Sequence, residues 1–130
     1  MQFPTDLKYT KEHAWVRFSG GEATVGITDH AQKELGDIVF VETPKPGAAL
    51  ARGKVYGVVE SVKSVSDLHA PVSGTVVRVN EVLAATPEIV NKDPYGGGWI
   101  AAATLADPGE LAGLMSAAEY EAWVGEVVKK

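Results

Sequence analysis

The sequence predicts a mainly β protein, a β-sandwich or flattened barrel carrying short peripheral helices and a C-terminal helix. Three observations carry this expectation. Runs of β-branched and aromatic residues recur along the chain, most densely in Val55–Val59 and Val65–Val79, and such residues suit a pleated, half-buried surface. Turn formers punctuate those runs at Ser19-Gly20-Gly21-Glu22, Lys45-Pro46-Gly47, Ala70-Pro71 and Ser73-Gly74. Helix signals are confined to a few short stretches and to the C-terminal end.

Taken in order, residues 1–10 read as an extended lead-in, because Pro4 and Asp6 oppose a helix. Residues 13–18 and 23–27 read as short strands joined by the glycine pair, which accepts positive φ. Thr28-Asp29 offers an N-cap with Gln32 three residues after Asp29, and Gly36 can close the helix, which predicts a helix over 29–35. Asp37–Glu42 reads as a buried strand bounded by Pro44 and Pro46, and Leu50–Lys54 leads into the central hairpin. Asn80–Thr86 is ambiguous. Residues 87–98 read as a loop dense in turn formers, and Trp99–Leu105 as a returning strand. Asp107-Pro108-Gly109-Glu110 opens a helix, and Ser116 with Glu119 forms a capping box for another. On that last helix Tyr120, Trp123, Val124 and Val127 follow helical spacing, an expected core-facing stripe, with Lys129 and Lys130 where the helix dipole favours cations.

Bulk properties bound the function. At 130 residues and 45% hydrophobic, a single domain spanning 1–130 is expected, able to bury a real core. The net charge of −5 points away from nucleic acid, and no apolar run is long enough to span a membrane. The absence of cysteine excludes disulfides, thiolate catalysis and cysteine-ligated metals. The start, MQFPTDLKYT, has neither signal-peptide nor transit-peptide character.

No catalytic constellation emerges. His13, His30 and His69 are scattered without metal-ligand spacing, and their ordinary reading is as surface or partly buried structural histidines. There is no G-x-S-x-G, and Gly96-Gly97-Gly98 lacks the Lys-Ser/Thr of a phosphate loop. Glu60 and Asp67 could pair as catalytic carboxylates, but a flanking role around the intervening tip is more economical.

That tip, Glu60-Ser61-Val62-Lys63-Ser64, stands between the two densest β runs and reads as a hairpin apex with Lys63 at or beside it. It has no Gly or Asn, so a type I-like turn or a slightly longer loop is expected in place of a primed two-residue turn. A lysine on a turn is ordinarily a solvated charge. Here a single amine is set between Ser and Val residues with a carboxylate on either flank. A rigid, projecting amine is a good substrate for an acylating enzyme, since it enters a deep active site without unfolding anything, and acylation removes its charge.

The run GVVESVKSVSD followed by APVSGTVVRVN resembles the lipoyl-attachment region of the glycine cleavage system H proteins. The likeness continues in Lys8–His13 with Trp15-Val16, in Val25–Gln32 with Leu35–Glu42, and in Asn91–Gly96 with Gly98-Trp99. The blocks occur in family order over nearly the whole chain, a far more specific signal than one motif.

The resemblance implies a barrel-sandwich hybrid of the lipoyl and biotinyl type, which the strand pattern alone does not select. It implies lipoate joined to Lys63 by an amide, and a non-catalytic carrier. A pyridoxal-phosphate (PLP)-dependent glycine decarboxylase would load an aminomethyl group. An aminomethyltransferase would pass the carbon to tetrahydrofolate, and a dihydrolipoamide dehydrogenase would recover the electrons. Lipoate-attaching enzymes would read Glu60, Ser61, Val62, Ser64 and Asp67. A monomer, binding neither nucleic acid nor membrane, is expected. A bacterial-style cytoplasmic protein fits the bare start, as does a processed mitochondrial form.

One departure stands out. Between His and Trp of the N-terminal block the family commonly has Glu, lining the cleft that holds the aminomethyl nitrogen; here the position is Ala14. Glu12, two residues earlier, would point to the same face if it lay on a strand, so Glu12 and Asp67 are the expected amine-holding pair. Rival readings are a lipoyl-relay protein donating its cofactor to other enzymes, a lipoyl domain of a 2-oxoacid dehydrogenase, which usually has Asp before and Ala after the lysine, and a biotinyl carrier, which would place Met on both sides. Lys63 has Val62 and Ser64 instead.

Overall fold

A computed structural model gives the fold, and residues 2–129 are described. Among the described residues, nine strands form two antiparallel sheets. One has the order β1 (Lys8–Tyr9), β2 (Ala14–Ser19), β3 (Glu22–Ile27), β9 (Ala101–Leu105), β8 (Gly74–Val79), β5 (Ala49–Leu50). The other has β4 (Ile38–Glu42), β6 (Val55–Ser61) and β7 (Val65–His69), with β6 central. Four helices flank them: α1 (Asp29–Leu35), α2 (Val82–Ala85), α3 (Ile89–Lys92) and α4 (Ala117–Lys129). A 3-10 turn runs over Pro108–Gly113.

Alternation builds the core. Val16, Val25, Val41, Val59, Leu68 and Val72 bury their side chains in one cluster between the sheets, and Leu83, Val90 and Ile100 close its end. A second cluster sits beneath α4, where Tyr9, Trp15, Tyr95, Tyr120 and Val124 are buried together. The expected stripe on α4 is therefore a core face through Tyr120 and Val124, with Trp123 packed at its margin. The side chains of Val127, Lys129 and Lys130 lie outside the described residues.

Local chemistry explains the boundaries. Gly20 and Gly21 both take positive φ, 60° and 82°, giving the two-residue turn between β2 and β3. The Thr28 hydroxyl accepts from Ala31 N and caps α1, and Gly36, with φ of 78°, closes it. The capping box forms as expected: Ser116 N donates to Glu119, and Glu119 N donates to the Ser116 hydroxyl.

Five expectations are corrected. Asp37–Glu42 is not a buried strand: β4 is an edge strand in which Val39 and Phe40 are both exposed and only Ile38 and Val41 face the core, because an irregularity in its register against β6 between Ile38 and Phe40 breaks the alternation. The first long strand begins at Ala14, since His13 adopts φ of 65° in the turn before it. The loop over 87–98 contains α3, the ambiguous 80–86 stretch contains α2, and the returning strand starts at Ala101. The Asp107-capped helix is a single 3-10 segment, with Asp107 accepting from Gly109 N.

Candidate functional site

The β6–β7 hairpin closes in three residues, Val62–Ser64. Ser61 N donates to the Ser64 carbonyl at 2.8 Å, and Ser64 N donates to the Ser61 hydroxyl at 3.1 Å. Val62 N donates to the Asp37 carbonyl at 3.0 Å, pinning the tip to the start of β4. Lys63 is exposed at the apex of this braced loop and Val62 is 76% exposed beside it. A methyl group placed on Gly36 would stand 3.7 Å from Lys63 Cε, so the lysine stem lies across the C-terminal end of α1.

Next to that end, Leu35 opens a cleft of about 140 Å³. Glu12, His13 and Ala14 form one wall, Ala31, Glu34 and Leu35 of α1 a second, and Ser66–His69 of β7 a third. Ile27, Tyr56 and Val59 contribute apolar surface. A β-bulge between Val55 and Gly57 sets Tyr56 out of simple alternation, and Tyr56 packs against the core while lining the cleft.

Glu12 and Asp67 both line this cleft, but the strand argument for Glu12 fails. Glu12 lies in the turn that closes with His13 N donating to the Thr10 carbonyl, ahead of β2. Glu34 is a third carboxylate at this cleft, and the sequence reading missed it. Its only signal is its place one residue before Leu35 on a helix whose facing wall is distant in sequence. Ser61, expected among the residues read by a modifying enzyme, is buried with its hydroxyl committed to the loop. Glu60 and Asp67 occupy adjacent outward rows of the hairpin, Glu60 opposite Val65 and Asp67 opposite Val58.

The histidines are not all scattered. The rings of His13 and His30 stand 4.7 Å apart, and Trp123 is 5.2 Å from His13. His13 Nδ1 is 2.8 Å from the Tyr120 hydroxyl, which is 2.7 Å from Thr28 Oγ1. Burial first, and then the neighbouring His30, push His13 down to about 4. A neutral His13 accepts at Nδ1 from Tyr120, and the Tyr120 oxygen accepts in turn from the Thr28 hydroxyl. His69 lies apart from this pair, on β7 opposite Val55. Among the described residues, no group of three or more His, Asp or Glu is arranged to hold a metal ion, and no helix is long and apolar enough to cross a membrane.

Asn91 is a second residue whose role the sequence hid. Its amide donates to the Gly36 carbonyl at 2.8 Å and to Gln32 at 3.0 Å, and its oxygen accepts from Ile38 N at 2.9 Å. It thereby ties the end of α1 to the start of β4, under the Lys63 tip.

Two short-stranded sheets closed around one core, lifting an exposed lysine on a braced hairpin beside a cleft, define a barrel-sandwich hybrid of the lipoyl and biotinyl carrier type. Residues 7–127 match the family described as glycine cleavage H-protein. The chain is 54% identical over 123 residues to the glycine cleavage system H protein of Symbiobacterium thermophilum, covering 95% of this chain and 96% of that one. It is 56% identical over 126 residues to that of Koribacter versatilis, covering 97% of both. Among solved structures, a glycine cleavage system H protein from Mycobacterium marinum superposes with a TM-score of 0.86 at 38% identity, covering 94% of this chain and 98% of that one. The chain belongs to the glycine cleavage H-protein family, whose members are lipoate-bearing carriers.

Proposed function

We propose that this protein is a single-domain carrier whose lipoyl group is joined by an amide to Lys63. On this reading it shuttles an aminomethyl group from a PLP-dependent glycine decarboxylase to a tetrahydrofolate-dependent aminomethyltransferase, and then electrons to dihydrolipoamide dehydrogenase. The protein itself turns over nothing; tethering replaces bimolecular encounters with a high local concentration. A cytoplasmic monomer in a bacterial cell fits this role.

The observation that supports the reading most is the path from Lys63 to the cleft. The lysine stem already leans across Gly36, and the next residue, Leu35, lines the cleft. The residues present fit the group: Ile27, Ala31, Leu35 and Val59 offer an apolar floor to a hydrocarbon arm, and Glu12, Glu34 and Asp67 offer carboxylates to a cationic end. When attached, lipoamide supplies the disulfide that takes up the one-carbon unit and its electrons. Lys63 supplies the amide nitrogen. The carboxylates hold a protonated amine where Ala14 makes no such contact, and the apolar floor excludes water from it.

Intact mass after incubation with a lipoate–protein ligase, lipoate and ATP tests the attachment. One lipoyl amide is expected on the wild type and none on Lys63→Arg. Modification that persists in the variant, or none in the wild type, removes Lys63 from the role and returns a biotinyl carrier or an unmodified binding domain to the front. A lipoyl-relay role would show instead as transfer of lipoate from this protein to an acceptor domain.

A further inference from the structure

The outward face of the β4–β6–β7 sheet is unusual for an exposed surface. Register sets two outward rows across the strands: Phe40, Glu60 and Val65, then Glu42, Val58 and Asp67. The row between them turns inward, with Val41 and Val59 buried. Three of the six outward positions are apolar, three are acidic and none is basic. Phe40 is 47% exposed and Val65 65%, and Val62 at 76% carries the apolar surface onto the tip beside Lys63. An exposed apolar surface of this kind, rimmed by charge, marks an interaction site.

We propose that this face is the docking surface for the enzyme that acylates Lys63, and that the enzyme meets it with apolar sockets ringed by Lys or Arg. This rests on the reading of Lys63 as the attachment site. Charge selects the class of partner: a second copy of the chain would set acid against acid, and nucleic acid or an anionic membrane would be repelled. Position selects the enzyme. Enzymes that act on the far end of an attached arm can take it once it has swung clear of the cleft, with no need to approach Nζ. The acylating enzyme must bring its acyl carbonyl to Nζ itself. There the amine, having lost a proton, attacks the carbonyl of an acyl-adenylate; the amide C–N bond forms, the acyl–phosphate bond breaks, AMP leaves with the electron pair, and the nitrogen gives up a second proton to solvent. A braced tip offers little surface to grip, so the enzyme's hold falls on the strands that carry it.

The test is steady-state acylation of the intact protein by a lipoate–protein ligase with lipoate and ATP. Phe40→Ala and Glu42→Lys are compared with Val82→Ala, a control on α2 that removes equally exposed apolar surface elsewhere. For each of the two face variants, KM for the carrier is expected to rise about five- to tenfold with kcat within twofold. Val82→Ala is expected to match the wild type. Raising ionic strength is expected to raise KM in the wild type and less so in Glu42→Lys. Once lipoylated, Phe40→Ala is expected to be loaded by the decarboxylase at the wild-type rate. Acylation of both face variants at wild-type KM overturns the docking face and leaves the Lys63 reading standing, as does a KM rise shared by Val82→Ala. Absence of any acylation at Lys63 overturns both. Salt-independent KM overturns the charge complementarity.

Discussion

His13 Nδ1 and the Tyr120 hydroxyl meet at 2.8 Å across 107 residues of sequence, and the same hydroxyl reaches Thr28 Oγ1 at 2.7 Å. Thr28 caps α1, which forms one wall of the cleft; His13 stands in the turn that forms another. One oxygen on α4 thus sets the spacing of two walls. Tyr120→Phe keeps the stack on Tyr9, whose ring lies 4.7 Å away and nearly parallel, and removes only the tie. The expected loss is about 1–2 kcal/mol of stability by urea unfolding. Loss of cargo from the loaded arm, followed by mass, is expected to quicken about threefold or more. Tyr9→Phe, which removes a hydroxyl bound to the Pro4 carbonyl, serves as a control that loses similar stability without the faster release.

His13 also gives stability a pH dependence. Its folded value, pushed down to about 4 from an ordinary 6.5, means that the unfolded chain binds the proton first as pH falls. Stability from this group is complete above about 6.5 and is lost as pH falls through 4. At about 1.36 kcal/mol per unit the whole window would carry about 3.4 kcal/mol, and solvent screening of this half-buried ring brings the expected loss to on the order of 2 kcal/mol. Urea unfolding at pH 7, 6 and 5 checks it against His13→Asn, chosen because Asn tolerates the left-handed backbone at this position. The variant is expected to show a flatter profile; equal slopes would remove His13 as the source.

The cleft carboxylates give a third expectation. If Glu12, Glu34 and Asp67 hold a protonated amine in place of a Glu at position 14, Glu12→Gln with Asp67→Asn weakens that hold and adding Glu34→Gln weakens it further. Hydrolytic loss of the loaded cargo is expected to rise about tenfold for the double variant, in line with roughly 1.4 kcal/mol of lost charge-assisted bonding. An unchanged rate would show that shielding rests on the apolar floor alone.

Asn91→Ala leaves Ile38 N and the Gly36 carbonyl without their partner. The expected cost is about 2–3 kcal/mol, read as a lower midpoint in urea. Because Asn91 supports the strand start to which Val62 is bonded, amide exchange at Val62 and Ser64 is expected to quicken more than exchange in β2.

Much of the fold was legible because the relevant forces are local. The glycine turn after Ser19, the Thr28 cap, the Ser116–Glu119 box and the β run on each side of Lys63 act over a few residues, and each forms as the spacing predicts. The errors fell where distant segments decide. Asp37–Glu42 is apolar enough to read as buried, yet it lies at a sheet edge where a break in its register against β6 leaves both Val39 and Phe40 outward. The 87–98 segment looks like a connector because turn formers dominate it, while Asn91 acts through partners more than fifty residues away.

The sequence by itself determined the β character of the chain, its punctuation, the exposed lysine on a projecting tip and the family to which those blocks correspond. Only the tertiary structure decided the cleft. Glu12, Glu34 and Asp67 come from a turn, a helix and a strand, and no periodicity links three elements that meet through packing. The same holds for His13, Tyr120 and Thr28: the cost of burying polar groups without partners is met across the fold.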